Sequence, residues 1–168
     1  MDRKTDSKKT EDQGNGNYNN PNRRNQGNRN KGNRTRFEGR EEGLKGHIYD
    51  YTGERTPNKY IKTTKELTTH VGKFSSKYMS DFTTAIRKLE MEDPVPPEEP
   101  TETSNFAFER WKLSLREYDE KRKEYKQFKS NLYNLIWGQC TYAMQDRLRS
   151  HKDFNEEIED GIKILKLI

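Results

Sequence analysis

The chain has little from which to build a large core. Leu, Ile, Val and Phe supply 27 of its 168 residues, about 16%, and only two of these are valines. Spread evenly, that level points to disorder. A single cysteine, Cys140, allows no internal disulfide and no zinc site of the CxxC kind. There is no apolar run of about 18 residues to cross a bilayer, and the N-terminus is too polar for the apolar region of a secretory signal. These absences lead us to expect an intracellular, cytoplasmic protein without membrane contact.

Chemistry-bearing patterns are equally scarce. GxxxxGK[ST], GxGxxG after a strand and HExxH are all missing. His47, His70 and His151 are scattered along the chain with Cys140, too far apart to suggest a metal centre. A Cys140–His151 nucleophilic pair has no identifiable oxyanion loop or third orienting residue, and a lone cysteine is commonly a small buried hydrophobe. The sequence therefore reads as a non-enzyme with no metal, no cofactor and no small-molecule substrate. Glu156, Glu157, Glu159 and Asp160 read as the acidic first turn of a last helix, where they favour the helix dipole.

What is present is unevenly placed. Residues 1–40 hold 11 Lys and Arg against 5 Asp and Glu, whereas the remaining 128 residues hold 22 against 23, so the net +5 belongs to the N-terminal part. From Gln13 to Arg36 the chain is a mix of Asn, Gly and Arg with no acid and one aromatic, Tyr18. Such a segment cannot bury enough apolar surface to offset its ordering entropy, so residues 1–36 are expected to be a disordered basic arm. Its cations Arg23, Arg24, Arg29, Lys31, Arg34 and Arg36 are the candidate nucleic-acid-binding residues. Arginine adds bidentate phosphate contacts and base stacking. If all six contact single-stranded RNA, the slope of log affinity against log salt is about −4. The opposing possibility is a solvated spacer that keeps the domain soluble.

Composition changes at Phe37, where the domain 37–168 is expected to begin. In FEGREEGLKGHIYDYTG the apolar residues are separated by glycines, which suggests an irregular lead-in. After Pro57, with Thr56 as a candidate N-cap, Tyr60, Ile61, Thr64, Leu67, Thr68 and Val71 recur at three and four and predict a helix ending at Gly72. Phe82, Ala85, Ile86 and Leu89 predict a second over 80–91, and the Pro-rich stretch 92–104 predicts a linker. The clearest periodicity runs from Phe108 through Leu132 to Ile136 and predicts one long amphipathic helix over 105–137. Two more are expected: one over 139–150 with Ala143, Met144 and Leu148 on one side, and a final one over 156–168 burying Ile158, Ile162 and Leu165. The fold class is all-α, a small domain of about five helices. On the long helix, Phe108, Trp111, Leu115, Tyr118 and Tyr125 form a stripe that serves either as core or, where the small domain cannot cover it, as a self-association surface.

Three segments together carry a resemblance. They are FEGREEGLKGHIYDYTG with the KYIKTTKELTTHVGKFSSKYMSDFTTAI that follows, then FERWKLSLREYDEKRKEYKQFKSNLYNLIWGQCTYAMQDRL, and the closing DFNEEIEDGIKILKLI. Over residues 37–168 the chain resembles the N-terminal Gag region of Copia-type LTR retrotransposons, in the form found in algae and other protists. The matching positions are Phe37, Gly39, Leu44, Gly46 and His47 in the lead-in, Tyr118, Lys121 and Arg122 in the long helix, and Gly138, Gln139, Cys140 and Thr141 in the turn after it. The resemblance implies a capsid-type protein that forms homo-oligomers around the element's RNA, and it transfers no catalytic residue. A CCHC zinc knuckle and the enzymes that commonly follow such regions are not in this sequence. The final IKILKLI, inside a predicted helix, suggests a truncated element, a short separate frame or a piece of a longer polyprotein. The competing expectation is a host nucleic-acid-binding or RNA-chaperone protein whose helical domain is only an anchor.

Overall fold

The structure, a computed structural model, describes residues 36–51, 57–101 and 104–168. The arm cations Arg23, Arg24, Arg29, Lys31 and Arg34, and the candidate cap Thr56, lie outside the described residues. Residues Arg36–Ile168 form one compact unit.

That unit is all-helical among the described residues. After a single 3-10 turn at Glu42–Leu44 come α1 (Pro57–Val71), α2 (Met79–Lys88), α3 (Asn105–Gln139), α4 (Tyr142–Arg149) and α5 (Gly161–Leu167). Among the described residues the one β-type contact is a lone parallel bridge between Tyr49 and Cys140.

Local chemistry sets most of these bounds. Leu89, in the left-handed conformation with φ of 57°, stops α2 at Lys88, three residues short of the expected Met91. Ser104 caps α3 by accepting the Ala107 N–H at 3.2 Å. Gly138 does not end that helix, which runs on through Gln139 until Cys140 turns extended. Thr141 then caps α4, accepting the Met144 N–H at 3.3 Å, so the helix expected from 139 starts three residues later. The final helix is shorter than expected as well. Glu156, Glu157 and Glu159 precede it, and Asp160 is its N-cap, accepting from Ile162 N at 2.9 Å and Lys163 N at 3.2 Å.

One core joins all five helices. Leu67 and Val71 of α1 and Phe82, Ala85 and Ile86 of α2 meet the inner half of α3, whose Phe128, Leu132 and Ile136 also receive Met144 and Leu148 of α4 and Ile162, Ile164 and Leu165 of α5. Phe82 stacks on Phe128 with ring centroids 4.1 Å apart, and Tyr125 closes edge-on against Phe82. The α5 start lies so close to α3 that a Cβ on Gly161 would be 2.6 Å from the Tyr133 backbone nitrogen. Two expected core residues face outward instead. Ile61 is 61% exposed and Ile158 46%, while Thr63 of α1 takes an inward place that periodicity did not assign to it.

The Pro-rich stretch has no regular secondary structure, yet it is packed. Asp93 pairs with Lys129 of α3 at 2.7 Å, and the Pro97 carbonyl accepts the Trp111 indole N–H at 3.4 Å. These two contacts tie it to α3 at Lys129 and at Trp111, so it works as a strap along the helix rather than as a free linker.

Candidate nucleic-acid interface

The lead-in from Arg36 to Tyr51 places Leu44 and Tyr49 in the core, and one polar side chain holds the backbone around them. Gln139, at the end of α3, is fully buried with 0% exposure. Its Oε1 accepts the backbone N–H groups of Arg40 at 2.9 Å and Glu41 at 3.2 Å. Its Nε2 donates to the carbonyls of Leu44 at 2.9 Å and His47 at 3.0 Å. A carboxamide has two acceptor sites and two donor hydrogens, and all four are used. Gly39, at φ of +96°, passes so close that a Cβ there would overlap the Gln139 amide. The main chain completes the lock: Tyr49 N donates to Gln139 O at 2.9 Å, and Thr141 N donates to Tyr49 O at 3.0 Å. Thr141 Oγ1 lies 2.8 Å from Asp50 Oδ1, to which it donates.

This lock fixes one wall of a groove of about 830 Å³, bounded otherwise by the first turns of α1, by α4 and by the end of α5. Tyr49, Tyr60, Thr63, Met144 and Leu165 line its depth. Their polar atoms already have partners. The Tyr60 hydroxyl donates to Leu165 O at 3.1 Å, Thr63 Oγ1 to Ile48 O at 3.5 Å, and Tyr49 Oη meets Thr64 Oγ1 at 3.2 Å. Burial pushes the Tyr49 and Tyr60 phenols above their ordinary pKa, so both remain neutral. The groove's basic lining residues are Arg36, Lys59, Lys62, Arg147 and Lys166, with Glu38 and Asp50 as the acids. Glu38 is paired with Lys45 at 3.6 Å, and Asp50 accepts the Thr141 hydroxyl at 2.8 Å. The Arg147 guanidinium lies over the Tyr51 ring, 4.0 Å from its centroid.

Of the six arm cations, Arg36 alone is described, and it is exposed on this groove. The stripe on α3 divides. Tyr125 is 6% exposed and donates its phenol proton to Asp81 Oδ2 at 2.7 Å, which places it in the core and not on a self-association surface. Leu115 and Tyr118 are half-buried. Trp111 leans on the strap, and Phe108 packs against Trp111 with centroids 5.4 Å apart. On the opposite side of the helix, Phe106 and Leu113 are 77% and 57% exposed, two residues the stripe did not include. Their spacing of seven was the available signal.

Cys140 is buried, and its thiol is pushed up to about 12 by that burial, so it packs as a protonated, small hydrophobe at neutral pH. His151 is exposed, with its Nδ1 accepting the Asp153 N–H at 3.2 Å. His70 sits against Phe74 with its Nδ1 buried and unpartnered. Among the described residues no group of three or more His, Cys, Asp or Glu is placed to hold a metal, and no helix is long and apolar enough to cross a membrane. Comparison of the chain with protein-family models, with curated proteins and with solved structures finds no match in any of the three.

Proposed function

We propose that this chain is a Gag-like structural protein of a retroelement, which self-assembles and packages RNA through its basic arm. The observation that carries the reading is the segregation of charge. Six cations without one acid fall between Gln13 and Arg36, while the chain beyond residue 40 is close to neutral. An acid-free arginine segment neutralises phosphates without demanding a fixed geometry, which suits packaging rather than sequence selection. The likeness of residues 37–168 to Copia-type Gag supports the same reading. The outer half of α3 supports the assembly part of it, because it offers Phe106 and Leu113 on one side and Phe108 on another to a second copy.

The test is the mass of the full chain by light scattering, with and without single-stranded RNA, across a salt series. Growth of mass with RNA, and a slope near −4 in log affinity against log salt, are the expected results. Changing Arg23, Arg24, Arg29, Lys31 and Arg34 together to Gln should cut RNA affinity while leaving self-association intact. A chain that stays monomeric at high concentration and ignores RNA overturns the proposal.

A further inference from the structure

We infer that the groove between the lead-in, α1, α4 and α5 is a second binding site for single-stranded nucleic acid, separate in sequence from the arm's cations Arg23 to Arg34. The inference rests on the RNA-binding reading above and adds a surface of the folded domain to it.

Three features of the groove favour this occupant. Its charge is predominantly positive, with five cations against the two acids Glu38 and Asp50: beside Arg36, Lys59 and Lys62 come from the first turns of α1, Arg147 from α4 and Lys166 from α5. A polyanion is what such a lining attracts. The groove also has a planar cation at hand: the exposed Arg147 guanidinium lies over the Tyr51 ring, 4.0 Å from its centroid, and a guanidinium plane is a surface on which a nucleobase stacks. Finally, the hydroxyls of Tyr60 and Thr63 and that of Tyr49 at its depth are engaged with Leu165 O, Ile48 O and Thr64 Oγ1. With those groups occupied, the site has few donors and acceptors left for reading base edges, so contact to phosphate and ring faces dominates and sequence preference is weak. Arg36 borders the groove as well.

The experiment uses the full chain and a labelled uridine oligonucleotide of about 15 nucleotides, with affinity followed by anisotropy over a salt series. In the variant Lys59→Gln, Lys62→Gln, Lys166→Gln, affinity at about 0.1 M salt should fall at least about tenfold, and the salt slope should shrink by about 2, as three phosphate contacts are lost. Circular dichroism of each variant checks that the helices persist. A second measurement needs no variant: a photo-crosslinking thiouridine oligonucleotide on the unaltered chain should attach to peptides spanning 47–63 or 142–149 as well as to the arm. If the triple variant matches the unaltered chain in affinity and slope, and crosslinks stay in the arm, the groove is overturned while RNA binding by the arm stands; a groove that holds a peptide gives that same result. If the unaltered chain binds no oligonucleotide, both proposals fall together.

Discussion

Between Tyr125 and Gln139 the long helix buries seven residues, and between Asn105 and Tyr118 it buries none, although one apolar period runs through both stretches. The inner half is enclosed by α1, α2, α4 and α5, whereas the outer half has the Pro-rich strap along one side. A continuous stripe therefore names a face without saying what covers it. Coverage is decided by where the other elements end.

The largest effect should come from comparing one leucine in each half. Leu132→Ala should lower the unfolding free energy by about 2–5 kcal/mol in urea titration, while Leu113→Ala should change it by less than about 0.5 kcal/mol. An equal cost at both sites would mean that the outer half is as enclosed as the inner, and the contrast would break. Next comes the lock at the inner end. Gln139→Leu removes four hydrogen bonds inside a buried site, and a loss of about 2–4 kcal/mol is expected, with faster amide exchange at Glu41 as its local signature. Gly161→Ala should cost about 1–3 kcal/mol, because the new methyl meets backbone of the inner half that cannot move aside cheaply.

Alkaline pH attacks the same inner half. The folded state holds the Cys140 proton up to about 12 against an ordinary value of 9.0, so its contribution is complete below pH 9 and is lost as pH rises toward 12. The raised phenols of Tyr49 and Tyr125 act in the same direction above pH 10. Unfolding midpoints measured from pH 8 to 11 should fall, and less steeply in Cys140→Ala. The smallest effect belongs to the outer half, where Trp111→Phe removes the bond to Pro97 and should cost at most about 1 kcal/mol, read as faster exchange in the strap rather than as a shift in global stability.

How legible all this was in the sequence follows from the range of the interactions involved. The α1 span and the start of α3 were readable, because Pro57, Gly72 and Ser104 mark them locally and the periodicity is strong. The start of α5 was not. A run of acids looks like a first turn, but the helix begins where Gly161 can approach Leu132, a tertiary condition. Gln139 was quoted as part of a motif, yet nothing local says that its amide is the partner of backbone about 95 residues earlier. The groove's cations come from the lead-in and three helices, so no run of basic residues announces them; only Lys59 and Lys62, three apart, share an element.

The Gln139 lock also imposes an order on biogenesis. Its two sides are 92–99 residues apart in the chain. At a synthesis rate of about 5–20 residues per second, the lead-in leaves the ribosome roughly 5–20 s before the side chain that will hold it. During that interval neither the Tyr49–Cys140 bridge nor the groove wall held by Gln139 exists. The groove wall is therefore complete only after the last helices have been made, so any ligand of the proposed groove has to wait for the finished chain.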